Sequence, residues 1–226
     1  MARRLRRILR SRLVKRLNQK VTGDSSITLF SEKYQEHYHS TKGAVEESFE
    51  KFVKPCRIAE LAKKGKITIL DVCFGVGYNS AAAVEVALEA NPDCKIKIIG
   101  LENDQKILDE RKNLNPAFKY YDIIKEEKTD ERIKLKILLG DARETIKQIK
   151  EKVDAVFFDP FSPKVCPELW TKEFFECVKN VMKPGAILTT YSCARVVRDN
   201  MKAVGFKVED GPILGRRGPA TIATLK

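Results

Sequence analysis

A short apolar run that ends in an acid and a turn occurs twice in this sequence, and no other feature restricts the fold as strongly. The first copy lies in Ile67–Asn79 (ITILDVCFGVGYN) and the second in Val153–Trp170 (VDAVFFDPFSPKVCPELW). The pattern is typical of a buried parallel strand that carries a carboxylate to the carboxyl edge of a sheet, where open α/β sheets bind ligands. We therefore expect the two strand ends to meet in one cleft that holds a nucleotide-like ligand beside a reacting group.

Strands and helices alternate regularly from Lys66 onward, which predicts βαβ units and a parallel sheet. The layout resembles the α/β, class I (Rossmann-like) methyltransferase fold, with a mostly parallel seven-stranded sheet and an antiparallel last strand. The expected strands are Ile67–Val72, Lys95–Leu101, Ile133–Leu139, Val153–Phe158, Ala186–Tyr191, Phe206–Val208 and Thr221–Leu225. The expected helices are Tyr78–Ala90, Asp104–Asn113 with Asp104 as its N-cap, Ala142 to about Lys150, Thr171 to about Met182, and Ala194–Val204.

The chain has 226 residues with 43% hydrophobic content, enough for one α/β domain with an appendage. We divide it into a basic amphipathic arm (1–24), an N-terminal helical cap over the ligand edge (25–64) and the Rossmann-like core (65–226). No apolar stretch reaches the length of about 20 residues that a membrane span needs. We expect a cytoplasmic protein. The six cysteines form no C-x-x-C pair, so we expect no metal site.

The first 20 residues carry much of the formal net charge of +12. Apolar residues recur at helical spacing among the basic ones, which predicts an amphipathic helix. Such an arm can bind RNA, lie on an anionic membrane, act as a targeting peptide or remain a solvated tail. The candidate RNA-binding residues are Arg3, Arg4, Arg6, Arg7, Arg10, Arg12, Lys15 and Arg16.

The loop after the first core strand is suited to a nucleotide-like cofactor. Its pattern, Asp71-x-x-x-Gly75-x-Gly77, allows a tight turn and a close approach of the backbone to a ligand. The dinucleotide fingerprint would have a third glycine where this chain has Ser80. The missing glycine favours S-adenosylmethionine over NAD.

Acids also end the next two strands. Glu102 ends the second strand, where a carboxylate can accept hydrogen bonds from both hydroxyls of a ribose. Asp141 ends the third, where it can hold an adenine amino group, cap the following helix, or do both. Three acids in this order on successive strands predict that Asp71, Glu102 and Asp141 all contribute to a cofactor site.

The loop after the fourth strand carries the candidate chemistry. Asp159-Pro160-Phe161 is similar to the [DN]-P-P-[FY] loop of amino methyltransferases, in which a polar side chain and a backbone carbonyl orient a nitrogen lone pair toward a sulfonium methyl group. Alignment of two reacting groups can supply about 7–11 kcal/mol. Asp159 is therefore the candidate catalytic residue, and the ring of Phe161 is expected to pack against the base of the substrate.

Four segments of the chain resemble the MnmC-type tRNA wobble-uridine methyltransferases. The resemblance covers roughly residues 28–226, and the spaced block around Asp159 is its most specific part. The matching residues are Tyr38-x-Ser40-x-x-Gly43 with Glu46-Glu47-Ser48; Phe74-Gly75-x-Gly77-x-Asn79; Asp159-x-Phe161-x-Pro163-x-x-x-Pro167-x-x-Trp170-Thr171; and Thr190-Tyr191-Ser192 with Arg198, Ala203-x-Gly205-Phe206 and Gly215-Arg216-Arg217.

The resemblance implies transfer of a methyl group from S-adenosyl-L-methionine to the amine of 5-aminomethyl-(2-thio)uridine at the tRNA wobble position. It implies that Asp159 is catalytic and that Gly75, Gly77, Glu102 and Asp141 line the cofactor site, with Glu47 reaching it from the cap. Further candidates for substrate binding are Arg216 and Arg217, in the loop between the last strands.

The chain departs from this family in several ways. Many members are fused to a C-terminal FAD-dependent oxidase that produces the amine, and this sequence has no such part. We therefore expect a separate enzyme or route to supply the aminomethyl substrate. Asp71 replaces a frequent Glu, Cys166 stands where Asn is common, and the Arg-rich arm has no counterpart that we recognise.

Two other functions fit parts of the pattern. An aminopropyltransferase related to spermidine synthases has the same sheet, the ribose acid and an acid after the fourth strand, but it does not need a basic arm. A non-catalytic RNA-binding module on a methyltransferase scaffold would not need the intact acids at three strand ends. Assays for methyl transfer to tRNA and for cofactor binding separate these alternatives.

Overall fold

The computed structural model describes residues 19–215 and 218–225, and its main element is an open sheet of seven strands. Ten strands are present in these ranges: β1 Gln19–Val21, β2 Ile27–Ser31, β3 Glu36–His37, β4 Lys66–Val72, β5 Lys95–Glu102, β6 Ile133–Leu139, β7 Val153–Phe158, β8 Met182–Thr190, β9 Phe206–Asp210 and β10 Thr221–Leu225. The main sheet has the order β6-β5-β4-β7-β8-β10-β9. β10 is antiparallel to both of its neighbours, as the class I methyltransferase layout requires.

Only the helices after β4, β7 and β8 have nine or more residues, and the other described α-helices have four to six. The helices are α1 Ala44–Glu47, continued by a π-helix over Ser48–Val53, α2 Ile58–Ala62, α3 Tyr78–Ala90, α4 Gln105–Glu110, α5 Tyr121–Lys125, α6 Ala142–Thr145, α7 Lys172–Val181 and α8 Arg195–Ala203. Single 3₁₀ turns follow at Arg111–Asn113, Ile146–Gln148 and Pro167–Leu169. The predicted N-cap of α4 is confirmed, because the Asp104 carboxylate accepts a hydrogen bond from the backbone N–H of Lys106.

The strand order reverses between β4 and β7, and this reversal positions the functional cleft. From β4 the chain adds β5 and β6 on one side of the sheet, and it then returns to add β7 on the other side of β4. Right-handed crossovers therefore place helices on opposite faces of the sheet. The ends of β4 and β7 pair directly, since Val72 lies opposite Phe158 and the backbone N–H of Asp159 donates to the Val72 carbonyl at 3.1 Å. The predicted meeting of these two strand ends is confirmed.

The core forms because both faces of the central strands are covered. The side chains of Ile69, Leu70, Val156 and Phe157 are fully buried, which is typical of parallel strands with helices on both sides. The predicted limits of β6, β7, β10 and α3 match the observed ones. Regular apolar patterns bounded by turn residues explain this agreement.

The cap differs from the expected helical segment. Its first part is a small antiparallel sheet in which β2 pairs with both β1 and β3, and only Ala44–Val53 and Ile58–Ala62 are helical. Gln19–Val21 belongs to this sheet, although the sequence pattern assigns residues 1–24 to the arm. The strands are two to five residues long and only partly buried, so their period-2 pattern is too brief to stand out from a polar helix.

Candidate functional site

A cleft opens at the carboxyl edge of the sheet, where β4 and β7 meet. Residues 36–40 of the cap form one wall, the 73–75 turn lies at its base, and the loops after β5, β6 and β7 close it. The cleft has about 1080 Å³ of empty space, part of which is open to solvent. Several predicted site residues contribute to its lining, namely Glu47, Gly75, Glu102, Asp141, Asp159 and Phe161. The predicted residues Asp71 and Gly77 lie outside that lining.

Gly75 and Gly77 have different structural roles in the glycine loop. Both have positive φ angles, of +56° and +79°. Gly75 lines the cleft, and its backbone N–H donates to Glu102 Oε2 at 2.8 Å. A Cβ at Gly77 would instead lie 2.6 Å from the Phe74 ring and 2.7 Å from Ile124. Gly77 therefore permits close packing of the loop, and its cofactor contact stays a prediction.

Glu102 joins the glycine loop to the end of β5. Its Oε1 accepts hydrogen bonds from the backbone N–H groups of Asn103 and Asp104 at 2.8 and 2.9 Å, while Oε2 accepts from Gly75. Burial raises the pKa of this carboxyl, and the backbone donors oppose the rise. A carboxylate offers about four lone-pair positions, so the three backbone donors leave room for one ribose hydroxyl, whereas the sequence analysis predicts two.

Asp141 confirms one of its two predicted roles. Its carboxylate caps α6 by accepting from the Arg143 backbone N–H at 2.9 Å, and it also forms an ion pair with the Arg143 guanidinium. The hydrogen bonds from Arg143 hold the pKa of Asp141 below its ordinary value. The residue is exposed at the rim of the cleft. Its contact with an adenine amino group stays a prediction.

Asp159 is the first residue after β7, and its side chain enters the cleft from the sheet side. Oδ2 accepts a hydrogen bond from the Asn79 side-chain amide at 3.0 Å, which links the loop after β7 to the first turn of α3. Burial and the nearby Glu47 carboxylate raise the pKa of Asp159 well above 3.8, whereas the Asn79 bond opposes the rise. Asp159 therefore retains a proton at higher pH than an exposed aspartate does.

The cap contributes Glu47, which is buried beside Asp159. Its Oε1 forms an ion pair with Lys51 Nζ at 2.6 Å, and Oε2 accepts from the Ser40 backbone N–H at 2.8 Å. Lys51 is only 2% exposed and lies on the π-helix, a rare element that often occurs at functional sites. The ion pair offsets the Glu47 charge and holds this acid at the cleft wall.

Phe161 stands between two tyrosines of the cap. Its ring stacks on Tyr34 with centroids 4.5 Å apart, and it contacts Tyr38 edge-on at 5.0 Å. Both tyrosines line the cleft with it. The three rings form an apolar wall beside Asp159, which is suited to packing against a planar base.

Asp71 is fully buried, in contrast to its predicted position at the ligand. Its Oδ2 accepts from the Ser80 hydroxyl at 2.6 Å, while Oδ1 has no hydrogen-bond partner among the described residues. Burial raises the pKa of Asp71 from 3.8 to about 7. Asp71 lies within β4, one residue before its end, and the alternation of side chains along a strand turns it toward α3.

Replacing Asp71 with asparagine tests this burial through the pH dependence of unfolding. A carboxyl whose folded-state pKa is raised destabilises the fold as pH rises above its unfolded-state pKa of 3.8. From pH 5 to pH 8, without cofactor, the unfolding free energy of Asp71→Asn should gain about 2 to 3 kcal/mol relative to that of the unmodified protein. Urea unfolding at the two pH values measures this difference. A constant difference would contradict the assignment.

Some predicted site residues lie outside the described ranges. They are the arm residues Arg3, Arg4, Arg6, Arg7, Arg10, Arg12, Lys15 and Arg16, and the loop residues Arg216 and Arg217. Within residues 19–215 and 218–225, no group of three or more His, Cys, Asp or Glu side chains is arranged to hold a metal ion. No helix in these ranges has both the length and the apolar character needed to cross a membrane.

Several side chains at the cleft escape the sequence analysis. In the sequence, Asn79 is noted only as part of the matching glycine-loop motif, and no role is predicted for its side chain. No sequence pattern identifies Tyr34 or Glu36, because Tyr34 lies between β2 and β3, Glu36 lies in β3, and both strands are too short to recognise. No pattern identifies Lys51 either, because a lysine in a charged segment is usually solvated. Lys51 is instead buried, and Tyr34 and Glu36 line the cleft.

Comparisons with known proteins agree with this fold. A family model described as S-adenosyl-L-methionine-dependent methyltransferase matches residues 110–226. The crystal structure of MNMC2 from Aquifex aeolicus superposes with a TM-score of 0.84 at 39% identity, over 92% of this chain and 70% of that chain. S-adenosyl-L-methionine is therefore the cofactor of this enzyme, and the buried Glu102 carboxylate beside Gly75 is chemically suited to hold its ribose.

Two curated relatives extend the match toward the N-terminus. An uncharacterized protein of Methanocaldococcus jannaschii is 30% identical over 95% of this chain and 62% of its own length. The tRNA 5-methylaminomethyl-2-thiouridine biosynthesis bifunctional protein MnmC of Leptospira interrogans is 28% identical over 87% of this chain, which spans 34% of that protein. The chain belongs to the S-adenosyl-L-methionine-dependent methyltransferases of the MnmC type.

Proposed function

We propose that this enzyme methylates the amine of 5-aminomethyl-(2-thio)uridine at the tRNA wobble position and gives 5-methylaminomethyl-(2-thio)uridine. The observation that carries the proposal is the position of Asp159, whose side chain enters the same cleft as Gly75 and Glu102. Its hydrogen bond with Asn79 joins it to the helix that follows the glycine loop. The name of the Leptospira relative supports this choice of substrate.

The cofactor supplies an electrophilic methyl group, and the protein must present a neutral amine to it. An alkyl amine has a pKa of about 10.4, so removing its proton at neutral pH costs roughly 4 to 5 kcal/mol. In this mechanism the Asp159 carboxylate binds the ammonium form and orients the nitrogen. The proton then leaves to Asp159 or to water. The Phe161 ring packs against the uracil and so fixes the position of the base.

Other residues hold the two substrates in this proposal. Gly75, Glu102 and Asp141 bind the cofactor, with Glu47 at the cleft wall, while Asp71 and Gly77 support the loop from behind. In this proposal Arg216 and Arg217 contact the RNA.

A labelling experiment tests the function. The protein is incubated with methyl-labelled S-adenosylmethionine and with tRNA that carries an unmethylated aminomethyl wobble base, and the RNA is digested to nucleosides. We expect the label in 5-methylaminomethyl-(2-thio)uridine and none in tRNA that lacks the aminomethyl group. Label elsewhere in the RNA, or its absence alongside tight cofactor binding, would contradict the proposal. Transfer from a decarboxylated cofactor to putrescine would instead indicate an aminopropyltransferase.

The basic arm is proposed to bind the phosphates of the tRNA. Deleting residues 1–18 leaves β1 intact and removes eight basic side chains. We expect weaker tRNA binding and a flatter dependence of log K on log salt, by about 0.7–0.9 for each phosphate that the arm neutralises. Filter binding at several salt concentrations measures the slope, and calorimetry should find S-adenosylmethionine affinity unchanged. An unaltered slope would contradict the assignment.

The remaining expectations concern the cellular setting. In this proposal a separate enzyme or route supplies the aminomethyl substrate. A cytoplasmic location would place the enzyme with its tRNA. Both expectations are independent of the labelling experiment.

A further inference from the structure

The loop that carries Asp159 is held by the cap as well as by the sheet. Glu36 accepts two hydrogen bonds from Ser162, one from its backbone N–H at 3.0 Å and one from its hydroxyl at 2.5 Å. Both carboxylate oxygens of Glu36 thus bind one loop residue, 126 positions further along the chain. Hydrogen bonds to a charged acceptor are stronger than neutral ones, so this pair is a directed link between cap and loop.

The core holds the two preceding carbonyls of the same loop. The Tyr191 hydroxyl donates to the Pro160 carbonyl at 2.8 Å, and the Trp170 indole N–H donates to the Phe161 carbonyl at 2.9 Å. Three consecutive residues after Asp159 are therefore each bound by a different part of the structure. Of these three links, the one at Ser162 comes from the cap and so joins the two walls of the cleft.

Glu36 also lies next to the aromatic wall of the cleft. It lies in β3, between Tyr34 and Tyr38 in the sequence, and both tyrosine rings contact Phe161. β3 has only two residues and pairs with β2 through two positions, Phe30 with His37 and Ser31 with Glu36. So short a strand has little intrinsic order, and its bonds to Ser162 fix it against the loop.

We propose that Glu36 is a positioning residue for methyl transfer, which fixes the Asp159–Ser162 loop through Ser162 and so aligns the carboxylate of Asp159 and the ring of Phe161 with the amine. The inference rests on the proposed function for its kinetic consequence. Its structural consequence, an ordered loop, does not depend on which substrate is methylated.

The single tryptophan of the chain reports on this loop without any substrate. Trp170 is 3% exposed and bonds to the Phe161 carbonyl. In Glu36→Ala, acrylamide should quench Trp170 fluorescence more strongly, because the loop opens more often. Glu36→Gln keeps an acceptor oxygen and should behave closer to the unmodified protein. The matched control is Glu32→Ala, at an exposed acid in the preceding turn.

Single-turnover kinetics test the consequence for the reaction. With saturating labelled cofactor and aminomethyl tRNA, Glu36→Ala should lower the rate constant about 10- to 100-fold, since a small misplacement of reacting groups can cost about 100-fold. The dissociation constants for tRNA and cofactor should change by less than about threefold. Ser162→Ala removes only one of the two hydrogen bonds and should lower the rate constant less. The double variant Glu36→Ala with Ser162→Ala should be no slower than Glu36→Ala alone.

The outcomes separate positioning from a general decrease in stability. A lower rate constant per folded molecule, partial rescue in Glu36→Gln and stronger quenching in Glu36→Ala support the proposal. Unchanged quenching, or a rate constant within about twofold of the unmodified protein, overturns it. If the unmodified protein transfers no methyl group to this tRNA, the proposed function fails, and the fluorescence comparison alone decides whether Glu36 holds the loop.

Discussion

Replacing Asp159 with alanine is expected to slow methyl transfer at least about 100-fold while leaving S-adenosylmethionine affinity within about tenfold, a change of about 1.4 kcal/mol. A positioned acid or base typically contributes about 10²–10⁴-fold to a rate. The proposed cofactor contacts come mainly from other elements, at Gly75 and Glu102, and these residues remain in the variant. Single-turnover labelling gives the rate constant, and calorimetry gives the affinity.

The isosteric variant Asp159→Asn separates charge from shape. It retains an oxygen that can accept a hydrogen bond from Asn79, but it cannot ionise or take a proton. Burial raises the pKa of Asp159, so the rate of the unmodified enzyme should fall with decreasing pH through a midpoint well above 3.8. The Asp159→Asn variant should react slowly at all pH values, and its rate should not show this decrease at low pH. A variant as fast as the unmodified enzyme would remove Asp159 from the mechanism.

Stability controls exclude unfolding as the reason for reduced activity. An acid with a raised folded-state pKa destabilises the fold as pH rises past its unfolded-state pKa, so removing Asp159 should not lower the unfolding free energy at neutral pH. Thermal unfolding of both Asp159 variants checks this sign. A large decrease in stability would mean that the Asn79 contact contributes more than burial costs.

The core of the fold was predictable because its signals are local and strong. The run Val153–Phe158 is fully apolar apart from Asp154, and it is bounded by Lys152 and by Asp159-Pro160, so its limits are unambiguous. The meeting of two acid-bearing strand ends followed from parallel topology alone. The position of each acid relative to the cleft was harder to predict. Asp159 lies just beyond its strand, whereas Asp71 lies inside β4.

The cap was less predictable because tertiary contacts define it. Its strands are very short, and β3 is held by bonds from Glu36 to a residue 126 positions away. No local pattern contains that information. The i,i+4 spacing of Glu47 and Lys51 is visible in the sequence, but the burial of this pair is not, because it depends on how the helical segment packs in the folded cap. Sequence reasoning therefore identified the sheet side of the cleft better than the cap side.

Replacing Lys51 with methionine should destabilise the protein by about 3 to 5 kcal/mol, because it leaves the buried Glu47 carboxylate without its partner. The pair is 2% and 9% exposed at its side chains, so water cannot replace the missing ammonium group. Urea unfolding without cofactor measures the change. The double variant Glu47→Gln with Lys51→Met removes both charges and keeps an acceptor for the Ser40 N–H, so it should recover most of the stability.

The same helical segment provides the matched control. Lys54 and Glu50 form an ion pair at the same spacing, but their side chains are 64% and 35% exposed. Lys54→Met should therefore cost less than about 1 kcal/mol, as is usual for surface pairs. If Lys51→Met and Lys54→Met have equal effects, Lys51 is solvated in the free enzyme. The Glu47 carboxylate would then lack a fixed partner beside Asp159, and its assigned position at the cleft wall would be wrong.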